Sequence, residues 1–335
     1  MDEMDVRWIR KNGRSVSASG SNRGSRKKLS SRMIPAASSL ERRSRFTVRL
    51  CLSCLVAVFI AMAGAGRACA DPLTTGTWTG GGVSGSWSNA TNWTNQPTTS
   101  GSWSLIFSGT SQTATTNDIG AITVDSLSFT NDGTAGKTAT FTLSGSTLNL
   151  SAATISTTAA SGLSSNSDVI GNRLSLSGAN TVSLGGGHSL TISGDISGLG
   201  ASLTKSGSGA LFLTGSNSYT GTTTINSGNV RTGSGGTSSD SNNYALGTGD
   251  VVVNNGGMLS VRNSTSLSNN ILISGTGATV GASGGAPLVG SFGAANQTAV
   301  VSGTVTLGGS TSISTWGSTG VTDSRLRLTG PIELG

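Results

Sequence analysis

Residues 203–230 read LTKSGSGALFLTGSNSYTGTTTINSGNV and carry one charge, Lys205, with no acid, histidine or cysteine. A polar composition this rich in Ser and Gly ordinarily marks disordered chain. The spacing of its apolar residues argues for strands instead. Leu211 and Leu213 alternate with Ala210, Phe212 and Thr214, the period of a strand with two unlike faces. Gly207, Gly209, Gly215 and Gly221 stand where a chain would turn, and Tyr219 to Ile225 supplies a second run of β-formers. Asn226-Ser227-Gly228-Asn229 turns it again. The segment predicts a strand-turn-strand unit.

Imperfect copies of its parts recur along the chain. An apolar residue followed by a hydroxyl residue and glycine occurs at Leu143-Ser-Gly145, Leu176-Ser-Gly178, Ile192-Ser-Gly194 and Leu213-Thr-Gly215. It returns at Ile273-Ser-Gly275, Val301-Ser-Gly303 and Leu328-Thr-Gly330. Several intervals approach the roughly 20 to 30 residues of one coil in a β-solenoid. Alternating strands fit between them at Leu148-Asn-Leu150, Val251-Val-Val253, Leu259-Ser-Val261, Val305-Thr-Leu307 and Leu326-Arg-Leu328. A β-sandwich also uses many short strands. The solenoid is preferred because the strands repeat as copies and their outward positions are so often Ser, Thr or Asn. No stretch after residue 71 holds a helical apolar period over three turns, which predicts an all-β domain. At about 25 residues and ~4.8 Å per coil, the stack would be a rod of about 45 Å.

Ahead of this domain stands an export segment. Residues 1–41 read as a disordered basic extension, or as sequence upstream of a true start at Met33. Residues 42–70 read as a signal peptide: a basic stretch, an apolar run from Leu52 to Gly66, and Ala68-Cys69-Ala70 in a small-x-small cleavage pattern before Asp71. Arg42-Arg43 suggests a twin-arginine route, but Phe46 falls one place late for it, so the general route is preferred. Left uncleaved, residues 50–66 would be an inner-membrane anchor, the one membrane contact expected.

Removing the leader changes the electrostatics. Fourteen of the 21 Lys and Arg, but four of the 14 acids, lie in residues 1–70, so the leader carries +10 and the remainder −3. With no basic stripe after residue 70, nucleic acid is a poor partner. All three cysteines, Cys51, Cys54 and Cys69, precede the cut, so the exported part must hold together without disulfides.

The opening stretch resembles the autotransporter-associated β-strand repeat, whose usual form runs LTKxGxGxLxLxGxNxYTGxTTINxG. The matching positions are Leu203, Lys205, Gly207, Gly209, Leu211, Leu213, Gly215, Asn217, Tyr219, Gly221, Ile225 and Gly228, within a repeat placed at 203–234. Ala245-Leu-Gly-Thr-Gly249, Val251 to Gly257 and Asn270 to Gly275 are similar to segments that trail this repeat. Trp78-Thr-Gly-Gly-Gly82, Gly85-Ser-Trp87 and Asn92-Trp93 are similar to the tryptophan-rich opening of such passengers. The resemblance implies a right-handed parallel β-helix that is exported, by the export machinery, to the cell surface or outer membrane or is secreted. It implies that the repeat assists passenger folding and transport. Family members often continue into an outer-membrane barrel or anchoring tail, whereas this chain stops at Pro331-Ile-Glu-Leu-Gly335. It therefore reads as a truncated member, or as a passenger without its own translocator.

Catalytic chemistry finds little footing. His188, the single histidine, reads as an exposed turn residue in Gly185-Gly-Gly-His188. Zinc sites of the usual kind are not expected, and no cofactor is. Gly281-Ala-Ser283-Gly-Gly285 fits a nucleophile elbow in form, but chance matches are expected in a chain this rich in Gly and Ser, and its flanks lack the strand-to-helix context. Gly80-x-Gly82-x-x-Gly85 reads as having neither a strand before it nor a helix after it. Asp118, Asp125 and Asp132 sit seven apart, as a polysaccharide-cleaving β-helix might group its acids, but turns explain Asp118 and Asp132. Four of the six tryptophans, Trp78, Trp87, Trp93 and Trp103, crowd into the region 71–110. They read as an N-terminal cap, with a glycan-stacking platform as the alternative, and residues 111–335 as the solenoid. The expectation is a non-enzymatic, structural or adhesion-type passenger facing cell-surface glycans or neighbouring surface proteins. The alternative is a carbohydrate-binding or carbohydrate-cleaving β-helix.

Overall fold

The computed structural model describes residues 74–130, 139–158, 166–233, 244–261, 265–275, 279–283, 297–308, 312–316 and 324–335. The extension, the export segment, Asp132 and Gly285 lie outside the described residues, and so does the proposed cleavage site. The chain divides into two units, Met1–Ala70 and Asp71–Gly335, and the described residues all belong to the second.

Among the described residues each strand-to-strand ladder is parallel, and the chain reaches its parallel partners by winding once around. It alternates between two faces: Ile122–Thr130 on the first sheet, Thr142–Gly145 on the second, Leu148–Thr158 on the first, Asn166–Ile170 on the second. The first sheet has 13 strands among the described residues, the second nine and a third, near the end of the chain, three. Among the described residues there is no α-helix, only a short 3-10 turn at Ala90–Asn92. The fold is a right-handed parallel β-helix. Its main path is eleven strands deep, about 48 Å at ~4.8 Å per strand, close to the expected rod.

The core is thin and continuous. In the first sheet Leu203 pairs with Asn180 and Thr223, and Lys205 with Val182 and Ile225. In the second, Leu211 stacks between Leu190 and Val230, and Leu213 between Ile192 and Thr232. Leu203, Leu211, Leu213 and Ile225 are buried while Phe212 and Thr214 are half-exposed, the alternation expected from the sequence. Ala210 is the exception. Placed outward by its phase, beside Asn229, it is nevertheless buried.

The hydroxyl-glycine endings fall on all three sheets. Those at Leu143, Ile192 and Leu213 close strands of the second sheet, Leu176 and Ile273 close strands of the first, and Val301 and Leu328 close strands of the third. The motif marks where a strand must stop, so its intervals mix three faces. Within the region read as the cap, Thr74–Trp78 and Ser102–Phe107 are the first two strands of the same long sheet. One expectation needs correcting: Gly80-x-Gly82-x-x-Gly85 does follow a strand, Thr74–Trp78. No helix follows it. The loop folds back on Asn92, whose Oδ1 accepts from Gly82 N at 2.8 Å.

Candidate functional site

The repeat coil is built around polar groups placed inside. Lys205 sits on an inward rung between Val182 and Ile225 and is 1% exposed. Its Nζ donates to the carbonyl oxygens of Ser206 at 2.6 Å, Gly207 at 2.7 Å and Ser227 at 3.3 Å. Burial lowers the amine to about 8, and the three carbonyls replace the water an ammonium requires. Gly207 adopts φ +72° and Gly228 φ +71°, the left-handed turns that bring those carbonyls to the amine.

The rest of the motif ties this coil to its neighbours. Asn217 is buried; its Oδ1 accepts from Ile196 N at 2.8 Å and its Nδ2 donates to Ala245 O at 2.6 Å, one coil below and one above. The Tyr219 hydroxyl shares a 2.7 Å hydrogen bond with Thr223 Oγ1, which donates to Leu246 O at 3.3 Å. Complete burial raises that phenol's pKa. Gly247 lies flat on the Tyr219 ring, where a Cβ would come within 3.1 Å of ring carbons. Ala245-Leu-Gly therefore trails the repeat for a packing reason. Gly209, Gly215 and Gly221 each lie against backbone of the preceding coil, at Gly185, Gly194 and Ala201, with no space for a side chain.

The tryptophans form the interior at the other end. Trp78 and Trp87 are fully buried, and Trp93 and Trp103 are 6% and 5% exposed. Trp78 meets Trp93 edge-on with centroids 5.0 Å apart, Trp87 meets Trp93 at 5.4 Å, and Phe107 continues the stack to Phe129 and Phe141. Trp87 Nε1 donates to Thr115 Oγ1 at 3.0 Å. The glycan-platform alternative finds no exposed ring among the four: Trp78, Trp87 and Trp93 pack on one another and on Phe107, and Trp103 is buried with them.

His188 is also corrected. It opens the strand His188–Ile192 in phase with Leu190 and Ile192, so it points inward and is 4% exposed. Burial lowers its pKa. Asp118 is committed to Ser88, accepting from its N–H and hydroxyl. The slight burial there raises its pKa and those hydrogen bonds outweigh that, leaving it below the usual carboxylate range. Asp125 stands at a register irregularity between Val124 and Ser126. Among the described residues no three His, Cys, Asp or Glu converge as metal ligands. Ser283 ends the strand Thr279–Ser283.

Two sets of residues escaped the sequence reading. Asp168 is buried, with Oδ1 accepting from Phe141 N at 2.8 Å, and desolvation raises it to about 6. Buried asparagines besides Asn217 hold the corners: Asn92 donates to Ser84 O and Ser86 O, Asn172 to Ser144 O and Ser146 O, and Asn269 to Gly247 O and Gly249 O. The available signal was an Asn two residues beyond a strand's last apolar residue, as in Ile170-Gly-Asn172 and Leu267-Ser-Asn269.

On the outside, the first sheet presents an unbroken rank of hydroxyls. Thr75, Ser104, Ser126, Thr154, Thr181, Thr204 and Thr224 are successive register partners, and none is buried.

The geometry defines a parallel β-helix with one coil of special construction. Residues 203–231 match the passenger-associated-transport-repeat family. The match encloses Lys205, its carbonyl cage, Asn217 and Tyr219, consistent with an autotransporter-associated repeat protein. No curated protein and no solved structure matches the chain.

Proposed function

We propose that residues 71–335 form a non-enzymatic passenger of structural or adhesion type, exported through the segment at 42–70 and cut before Asp71. The repeat family implies an exported, surface or secreted protein. The carrying observation is that the matched segment is a working coil of the solenoid, in register with Ala179–Leu184 below and Val251–Val253 above. A chain delivered unfolded gains from coils that each specify their neighbour. The non-enzymatic reading is supported by the inward course of His188 and by the commitment of Asp118 to Ser88. Export is tested by fractionating cells that express the full chain and sequencing the N-terminus of the exported protein. The expected start is Asp71; exported protein that retains Leu52 to Gly66 would instead be anchored.

A second reading, carbohydrate contact, is favoured by the hydroxyl rank on the first sheet, which sets donors and acceptors one strand apart. A glycan array probed with exported protein tests it. Binding abolished by Thr181→Val and Thr204→Val would place the contact there; absence of binding leaves the structural role.

A further inference from the structure

We propose that Lys205 is a register pin: its buried ammonium selects which residues of the next coil stack on residues 203–207. The pin deepens the passenger reading, since it says how the repeat aids folding. The inward ladder of the first sheet runs Leu127, Ile155, Val182, Lys205, Ile225, Val253. Aliphatic rungs are nearly interchangeable. A slip of two residues returns the same face of a strand to the core, so burial alone discriminates poorly against it. Slipped that way, Lys205 would meet Thr223, which is also an inward residue.

The ammonium is not indifferent to such a slip. Two of its acceptors, Ser206 O and Gly207 O, belong to its own coil, and the third, Ser227 O, belongs to the next. The corner at Gly228 must stand over the corner at Gly207 for all three to converge. The fit is close, because a Cβ at position 228 would lie 3.0 Å from Nζ. A slipped coil would leave the charge buried and short of acceptors, a heavily penalised state. Discrimination thus comes from the cost of the wrong stack, as with a single polar residue in a coiled-coil seam. The amine, lowered to about 8, is still largely charged at neutral pH. Lys205, Gly207 and Gly228 all fall inside residues 203–231, so the repeat contains the whole device.

Cysteine pairs in the full chain test the pin, with Cys51→Ser, Cys54→Ser and Cys69→Ser as background. Thr204→Cys with Thr224→Cys reports native register, since these residues are partners on the outward face. Thr204→Cys with Thr222→Cys reports the two-residue slip that sets Lys205 against Thr223; in native register that diagonal, about 7–8 Å, is too long for a disulfide. Each chain is refolded from denaturant in a glutathione redox buffer at pH 7, with and without Lys205→Met. With Lys205 present, the native pair closes and the slipped pair stays reduced. Lys205→Met should raise closure of the slipped pair at least about tenfold while a protease-resistant core persists. A slipped pair that stays reduced in Lys205→Met overturns the pin. So does a Lys205→Met chain with no resistant core, because the ammonium would then support the coil rather than select its register. Neither outcome bears on export, and a failure of export would leave this refolding result unchanged.

Discussion

Residues 74–141 and residues 203–232 fill the same narrow interior with opposite materials. The first region uses rings: Trp78, Trp87, Trp93, Phe107, Phe129 and Phe141 stack through successive coils with centroids 5.0 to 6.2 Å apart. The second has aliphatic rungs interrupted by Lys205 and Asn217, whose polar atoms reach the backbone of the next coil, and by Tyr219, whose hydroxyl bonds to Thr223 within its own coil. Ring stacks bury much area and tolerate several arrangements, which favours stability. Buried polar groups satisfied in one arrangement penalise every other, which favours a unique register. In a solenoid each coil is held mainly by its neighbours, so the rod can divide these tasks between its parts.

The largest expected effect tests whether the repeat coil has a dry core at all. Leu213→Asp places an unpaired carboxylate between Ile192 and Thr232 and should cost more than about 4 kcal/mol. Thr214→Asp, one position along and half-exposed, should cost well under about 1 kcal/mol. Limited proteolysis with mass mapping reads both. Cleavage in the Leu213→Asp chain should begin near 203–232 and spread outward. Equal tolerance of the two substitutions would remove the alternating core.

Trp87→Ala makes the corresponding attack on the aromatic end. It deletes a fully buried ring and the Thr115 hydrogen bond, at a cost of about 3–5 kcal/mol. Denaturant unfolding should show the loss equally with and without added glycans, since the ring faces no solvent. Stability unchanged without sugar would mean that this end is not held by its rings.

Between the two regions lies a titrating group. Asp168 has its carboxyl raised from 3.8 to about 6, so the folded chain prefers it protonated. Its stabilising contribution is fully present below pH 3.8 and is lost as pH rises through 6, a difference of about 2–3 kcal/mol. His188, lowered by burial, works the opposite way and loses its contribution as pH falls. Asp168→Asn, read against the unaltered chain, isolates the acid because His188 is common to both. The gap in unfolding free energy between the two chains should widen in favour of Asp168→Asn from pH 4 to pH 7. A constant gap would show that burial does not govern this carboxyl.

Much of this contrast was legible in the sequence, but unevenly. The alternation at Leu211 and Leu213 and the turns at Gly207 and Gly221 were sufficient for the solenoid, because strand period and glycine placement are local properties. Lys205 was readable as a motif position but not as a caged cation. The cage needs Ser227 from the next coil, and no local pattern reports a contact 22 residues away. His188 was misread for a related reason. The three glycines before it do make a turn, but the side chain's direction is set by the phase of Leu190 and Ile192 after it. The coil corners were missed because an asparagine just past a strand reads as an ordinary turn residue, whether it bonds to water or to backbone carbonyls.

The smallest expected effect is the sharpest on how the regions differ. Tyr219→Phe removes one hydroxyl and leaves the ring, its burial and its contact with Gly247 in place. Thr223 keeps its bond to Leu246 O, so the loss should be about 1 kcal/mol. If coils are stabilised chiefly by their neighbours, that loss stays local. Hydrogen exchange should quicken at Thr248, whose N–H donates to Tyr219 O, and at Asn217, whose N–H donates to Tyr244 O. The amides of Ser102–Phe107, inside the aromatic stack, should exchange as before. Equal acceleration at both places would mean that the rod opens as a single cooperative unit. The ring-stacked and polar-pinned regions would then share one stability, and the division of labour between them would be confined to register.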